Sequence, residues 1–228
     1  MFYKGNLMLR TPTPTAANLF VFGGKIFWPR LKCVLDISLI LVFSPLLMFV
    51  MFIILAIASF QGGPLFFGQN RIGKNGHVFR VWKFRTMHVN ADETLTDILS
   101  ENQEAAREWA RKRKLQCDPR VTRMGGILRR TSLDELPQLW NVLRGEMSLV
   151  GPRPVPGSEL RSKYRGDAWA YLSCKPGLTG LWQVSGRNML DYTQRVQLDI
   201  AYSKRQNLPL DLLILWRTIA VVLRCTGR

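Results

Sequence analysis

Histidine and acid are scarce in this chain of 228 residues, which has two His, and 16 Asp plus Glu against 32 Lys plus Arg. Two histidines exclude a His-rich zinc or iron site. The four cysteines, Cys33, Cys117, Cys174 and Cys225, stand singly with no CxxC pair. That excludes a zinc ribbon or dithiol motif and fits a reducing, cytoplasmic compartment. No internal repeat or low-complexity tract is present. With 47% apolar and 11% aromatic residues, the chain is not a disordered one. Its length allows one domain with a small appendage, and a core large enough to need no disulfide. Positive charge is what it has in excess. The net +16 points to an anionic partner: nucleic acid, a membrane surface or phosphorylated substrates.

Charge is also missing locally. Ile37 to Phe60 is a run of 24 residues without a charged side chain. Apolar residues surround such a helix instead of forming one stripe, and about 20 of them span a bilayer core. This argues against a nucleic-acid binder, which needs a basic stripe with stacking aromatics on a soluble fold. Both flanks are basic: Lys4, Arg10, Lys25, Arg30 and Lys32 before the run, Arg71, Lys74, Arg80, Lys83 and Arg85 after it. A simple spanning helix carries its Lys/Arg excess on one side, so symmetric flanks point to two ends on the cytoplasmic face. Pro45 frees the carbonyl of Leu41 and offers a place to turn back, with the Ser44 hydroxyl as a substitute partner. A break there leaves two arms, Ile37–Ser44 and Leu46–Phe60, neither long enough to cross. A re-entrant segment and a kinked spanning helix both fit these residues. Ala56-Ile57-Ala58 has the form of a signal-peptidase site, but the basic lead-in and the apolar run are too long for a cleaved signal.

The remainder reads as an α+β domain. Leu65–Ile72 and His77–Met87 flank Gly73-Lys74-Asn75-Gly76, a hairpin signal. A helix is expected over Asp92–Leu115, acids early and bases late as the dipole prefers, and another over Asp191–Gln206. Asp211–Arg224 is too short and too charged for a comfortable span. It fits a helix in the membrane interface, with Trp216 at headgroup level, or a core helix. Residues 1–24, with Thr-Pro-Thr-Pro-Thr, read as a loosely ordered lead-in, 25–60 as the membrane helix and 61–228 as the cytoplasmic domain.

Chemistry concentrates at Leu128–Pro137, LRRTSLDELP. Ser132-x-x-Glu135 has capping-box form, and Pro137 calls for a helix start nearby. Asp134 and Glu135 would then lie at a helix N-terminus, where a pair of caps is the ordinary explanation. Two arginines within six residues change that balance. The helix end and the arginines both favour an ionised carboxylate, which serves as a nucleophile or a Mg²⁺ ligand. Basic, Gly/Pro-rich turns accompany it: Lys83–Met87, Gly151–Pro154, Lys175–Gly180 and Gly186–Asn188. Such turns hold arginine forks against phosphates.

These stretches together carry a resemblance. FGQNRIG at 67–73, KFRTM at 83–87, LRRTSLDELPQLWNVLRGEMSLVGPRP at 128–154 and PGLTGLWQVSGRN at 176–188 resemble the bacterial sugar transferase family, the small monotopic phosphoglycosyl transferases. The chain is most similar to members that initiate exopolysaccharide synthesis by transferring galactose 1-phosphate. The resemblance implies transfer of a sugar 1-phosphate from a UDP-sugar to undecaprenyl phosphate, with release of UMP. It implies that Asp134 is the nucleophile, forms a covalent phosphosugar and helps hold Mg²⁺, and that Glu135 assists. It assigns Lys83, Arg129, Arg153 and Arg187 to phosphates. It implies a mostly helical cytoplasmic domain with a small β-hairpin, interfacial helices and a re-entrant membrane helix broken at Ser44-Pro45. The expected place is the cytoplasmic face of the bacterial inner membrane, against phospholipid and with no nucleic acid. The sugar, galactose or glucose, and the oligomeric state, a homodimer included, stay open. The alternative function is a non-catalytic scaffold for anionic lipids, which leaves the Asp-Glu pair unexplained.

Overall fold

The computed structural model describes residues 16–112, 115, 117–186 and 189–224. Helix α1 (Ala16–Ser59) is followed by strands β1 (Phe66–Ile72) and β2 (Val78–Phe84). Helices α2 (Ala91–Glu101), α3 (Gln103–Lys112), α4 (Arg123–Thr131) and α5 (Gln138–Leu143) lead to strand β3 (Ser148–Val150). A single turn α6 (Gly157–Glu159), helix α7 (Ala168–Leu172), strand β4 (Gly177–Thr179) and helices α8 (Leu181–Ser185), α9 (Tyr192–Arg205) and α10 (Leu208–Leu223) complete the order. The architecture is α+β and mostly helical, as expected.

α1 contains a stretch, Trp28–Ser59, long and apolar enough to cross a membrane. It is helical from Ala16, the first described residue; residues 1–15 of the expected lead-in lie outside the described residues. The backbone also stays helical across Pro45, so no non-helical residue separates the two expected arms. The Ser44 hydroxyl donates to the Leu41 carbonyl at 2.7 Å, satisfying the oxygen that the proline cannot reach. Contacts with the rest of the chain come from both halves of α1. Lys32 pairs with Asp211, and Asp36 accepts from the Ser148 hydroxyl at 2.6 Å. Ile40 joins Phe79, Val81, Val142 and Met147. Beyond Pro45, Ile54 joins Phe84 and Leu128. Between these anchors Leu41, Val42, Phe43, Leu46, Met48 and Phe49 are exposed.

The hairpin forms where Asn-Gly places it. Asn75 and Gly76 take positive φ of 58° and 85°, and β1 pairs antiparallel with β2 from Ile72 opposite Val78 to Phe66 opposite Phe84. A second, parallel pair was not foreseen: β3 lies beside β4, Ser148 opposite Gly177 and Val150 opposite Thr179. It brings the two Gly/Pro turns together so closely that a Cβ on Gly177 would stand 2.1 Å from the Gly151 nitrogen. Glycine is required there by contact between two backbones.

The helix expected over Asp92–Leu115 is two helices. Asn102 is extended between α2 and α3, and its Oδ1 accepts from the nitrogens of Glu104 and Ala105 at 2.9 and 3.0 Å. An asparagine caps a helix better than it continues one. α9 follows the expectation: Asp191 and Gln194 form a capping box. α10 has two unlike faces. It buries Asp211 and Ile214 against the domain and exposes Leu212, Trp216, Ile219 and Leu223.

Candidate active site

The end of β2 and the segment after it set the site's first wall. Phe84 is buried with Leu128 and Ile54, which fixes Lys83 beside it. Thr86 follows, and its carbonyl accepts from the Thr122 nitrogen at 3.0 Å. Thr122 caps α4 through the Gly125 nitrogen at 2.9 Å. A Cβ on Gly125 would meet the Thr86 carbonyl oxygen at 2.0 Å, so only glycine lets α4 dock this closely. One turn on, Arg129 Nε donates to Thr86 Oγ1 at 2.8 Å.

α4 stops at Ser132, whose φ of 59° is left-handed. Leu133–Glu135 then form a 3₁₀ turn. The Ser132 side chain makes no cap bond, so the expected capping box is absent. A left-handed residue ends the preceding helix and turns its side chain away from the following N–H groups. Leu133 and Leu136 pack on the Ile54–Phe84–Leu128 cluster. Those two apolar side chains hold Asp134 inward, where it is 7% exposed. The dyad therefore rests on the second half of α1.

Lys83 Nζ lies 2.6 Å from Glu135 Oε1 and 3.5 Å from Asp134 Oδ2. Arg153 Nη2 lies 3.5 Å from Glu135 Oε1. Burial raises the Asp134 carboxyl above its ordinary value, Lys83 pulls it back, and Glu135 adds to the rise. The expectation that a helix end and arginines favour the ionised form is overturned in its balance. Desolvation is the largest influence, and the ammonium of Lys83 leads the opposition with Arg129 behind it. Burial likewise lowers Arg129, while Asp134 and Asp118 support its charge.

A cavity of about 820 Å³ opens over this floor. Lys83, Arg129, Asp134, Glu135 and Arg153 all line it, so five of the six expected site residues meet there. The sixth, Arg187, lies outside the described residues. Three further arginines on the wall, Arg71, Arg85 and Arg195, were not assigned from sequence. Arg71 and Arg85 stand in the FGQNRIG and KFRTM stretches, so the motifs contained them. Arg195 lies mid-helix in α9 with no motif to mark it. Each of the three has a buried guanidinium nitrogen without a hydrogen-bond partner: Arg71 Nη1, Arg85 Nη1 and Arg195 Nε.

Among the described residues no group of three His, Cys, Asp or Glu could by itself hold a metal ion. The acid pair nevertheless fits Mg²⁺. Its two carboxylates converge on one cation, Lys83, and Mg²⁺ binds through one or two carboxylates with substrate phosphates completing the set.

A family model described as bacterial sugar transferase matches residues 28–225. The undecaprenyl-phosphate galactose phosphotransferase of Salmonella typhimurium is 46% identical over 194 residues, 85% of this chain and 40% of that one. The exopolysaccharide production protein ExoY of Rhizobium meliloti is 50% identical over 190 residues, 83% of this chain and 81% of that one. The UDP-glucose:undecaprenyl-phosphate glucose-1-phosphate transferase of Klebsiella pneumoniae is 37% identical over 206 residues, 86% of this chain and 40% of that one. The chain thus spans less than half the length of the Salmonella and Klebsiella relatives. Matched over nearly all of its own length, it belongs to the bacterial sugar transferase family.

Proposed function

We propose that the chain transfers a sugar 1-phosphate from a UDP-sugar to undecaprenyl phosphate, releasing UMP, as an early membrane step of exopolysaccharide synthesis. One observation carries the reading. A buried aspartate and a half-buried glutamate share the ammonium of Lys83 at the floor of a cavity whose wall supplies Arg71, Arg85, Arg129, Arg153 and Arg195. A lipid-holding scaffold needs surface cations but no buried carboxylates, and burying them is costly.

Asp134 attacks the phosphorus next to the sugar. The bond from that phosphorus to the bridging oxygen breaks, and UMP leaves with the electron pair. The phosphosugar stays on Asp134 until the lipid phosphate attacks it and restores the carboxylate. Two displacements at phosphorus leave the anomeric bond intact. The carboxylate, the donor diphosphate and the lipid phosphate repel one another, so fixed cations have to gather them. Lys83 keeps the buried Asp134 ionised. Arg129 and Arg153 bind phosphate oxygens as bidentate forks, and Arg187 is assigned the same role. Glu135 holds Lys83 and Arg153 in place. Mg²⁺, held by Asp134 beside Glu135, would neutralise charge on the donor diphosphate.

α1 is proposed to enter the membrane and return, leaving the domain on the cytoplasmic face. The contacts of Lys32, Asp36 and Ile40 before Pro45, and of Ile54 after it, support this. Both halves meet the same domain while the intervening residues stay exposed. The exposed stripe of α10 would lie in the interface. Relatives are named for galactose and for glucose, so both donors are candidates.

A UMP-release assay with undecaprenyl phosphate, Mg²⁺ and a panel of UDP-sugars tests the function. Turnover of at least one donor, lost in Asp134→Asn, is expected. No turnover of any donor would refute it.

A further inference from the structure

Arg195 lines the cavity wall without an acidic partner among the described residues. Its guanidinium carbon stands 4.7 Å from the centre of the Trp182 ring and 5.9 Å from that of Tyr192. Its side chain makes no ion pair or hydrogen bond with any described residue, and its Nε is buried without an acceptor. The side chain is half-buried, and a buried arginine nitrogen is seldom left unpaired. The ring faces steady the cation but take none of its five N–H donors. Lys83, by contrast, is engaged by both carboxylates, and Arg153 by Glu135.

The surroundings distinguish the two phosphorylated substrates. Phe66 and Phe67, exposed aromatics on the cavity wall, belong to β1 directly after α1. That is the side from which a polyprenyl chain would approach. Arg195 comes from α9, over the buried Trp182 of α8, with Gln183 and Thr179 on the wall nearby in sequence to its platform. That wall offers a pinned cation and polar side chains to a water-soluble ligand.

Resting on the double-displacement reading above, we infer that Arg195 binds the phosphate of the departing nucleotide. When Asp134 attacks, the bridging oxygen leaves with its electron pair and UMP becomes a phosphomonoester. The developing negative charge then meets a guanidinium with no acid to compete for it. The contact strengthens as the bond breaks, so it assists departure in addition to binding the donor.

The test uses the full chain in lipid nanodiscs with Mg²⁺. Equilibrium dialysis measures radiolabelled UMP and uridine, and steady-state kinetics measures the KM for undecaprenyl phosphate. Arg195→Gln is expected to weaken UMP binding at least tenfold. Uridine binding and the KM for the lipid phosphate should stay within about twofold of wild type. Arg195→Lys, which keeps the cation and loses the fork, should fall between the two. It also serves if the glutamine variant proves unstable on heating. Unchanged UMP binding in both variants, or a change confined to the lipid phosphate, would overturn the assignment. A wild-type chain that releases no UMP from any donor, yet binds UMP through Arg195, would defeat the proposed reaction and leave this site standing.

Discussion

Lys83 Nζ is shared between two carboxylates, 2.6 Å from Glu135 Oε1 and 3.5 Å from Asp134 Oδ2. Burial pushes Asp134 toward the neutral form and Lys83 is the largest opposing influence. A nucleophilic carboxylate has to be ionised. Lys83→Gln should therefore move the acid limb of the UMP-release profile to higher pH, because burial and Glu135 then raise Asp134 against Arg129, the smallest of the named influences. Activity near neutral pH should fall by roughly a hundredfold, the usual cost of losing one charge-stabilising donor. An unmoved acid limb would show that Lys83 does not control Asp134.

Arg129 is oriented by Thr86, whose hydroxyl accepts its Nε–H at 2.8 Å. Thr86→Val keeps the shape and removes the acceptor in a buried setting. Stability should fall by about 1–3 kcal/mol for the unsatisfied donor. The KM for the UDP-sugar should rise several-fold as the fork loses its direction. A thermal melt and a KM measurement check the two effects separately.

Asp199 is 1% exposed and accepts a hydrogen bond from the Tyr164 hydroxyl at 2.6 Å. Burial raises its carboxyl from 3.8 to about 7, although the Tyr164 hydrogen bond works the other way. Between those values the folded chain keeps a proton that the unfolded chain has lost. Stability is therefore lost as pH rises through that window, and the whole penalty is present above about 7. Asp199→Asn cannot ionise, and its amide oxygen still accepts from Tyr164. Relative to wild type its unfolding free energy should rise between pH 5 and pH 8, by on the order of a few kcal/mol at most, with Tm rising in step. A constant difference in Tm across that range would contradict the assignment.

The topology of α1 has its own test. Tags at residue 1 and after Phe60 should both be labelled from the cytoplasmic face. Labelling on opposite faces would make α1 a spanning helix, and the contacts of Ile54 with Phe84 and Leu128 would then need a different explanation.

How far sequence carries varied with the kind of feature. The apolar run, the Asn-Gly hairpin and the helix over Asp191–Gln206 were legible because local spacing and local chemistry decide them. The Asp134 dyad was legible through its motif. Its electrostatics were not, because desolvation depends on Leu133 and Leu136 being held by Ile54, Phe84 and Leu128, a long-range packing event. The supposed cap at Ser132 failed for the same reason: docking of α4 through Gly125 onto Thr86 sets where that helix must stop. The pairing of β3 with β4 joins segments far apart in the chain, and the isolated three-residue runs carry no strand signal. Arg195 is marked only by what it lacks among the described residues, an acidic partner, and that is visible only in three dimensions.

The central claim is that Asp134 carries the sugar phosphate. The most direct measurement is mass spectrometry of the chain quenched after incubation with Mg²⁺ and a turned-over UDP-sugar, in the absence of lipid acceptor. The account predicts one phosphosugar adduct, located on Asp134, discharged by undecaprenyl phosphate and absent from Asp134→Asn. An adduct on another residue, or an Asp134→Asn chain that still transfers sugar phosphate to the lipid, would contradict it.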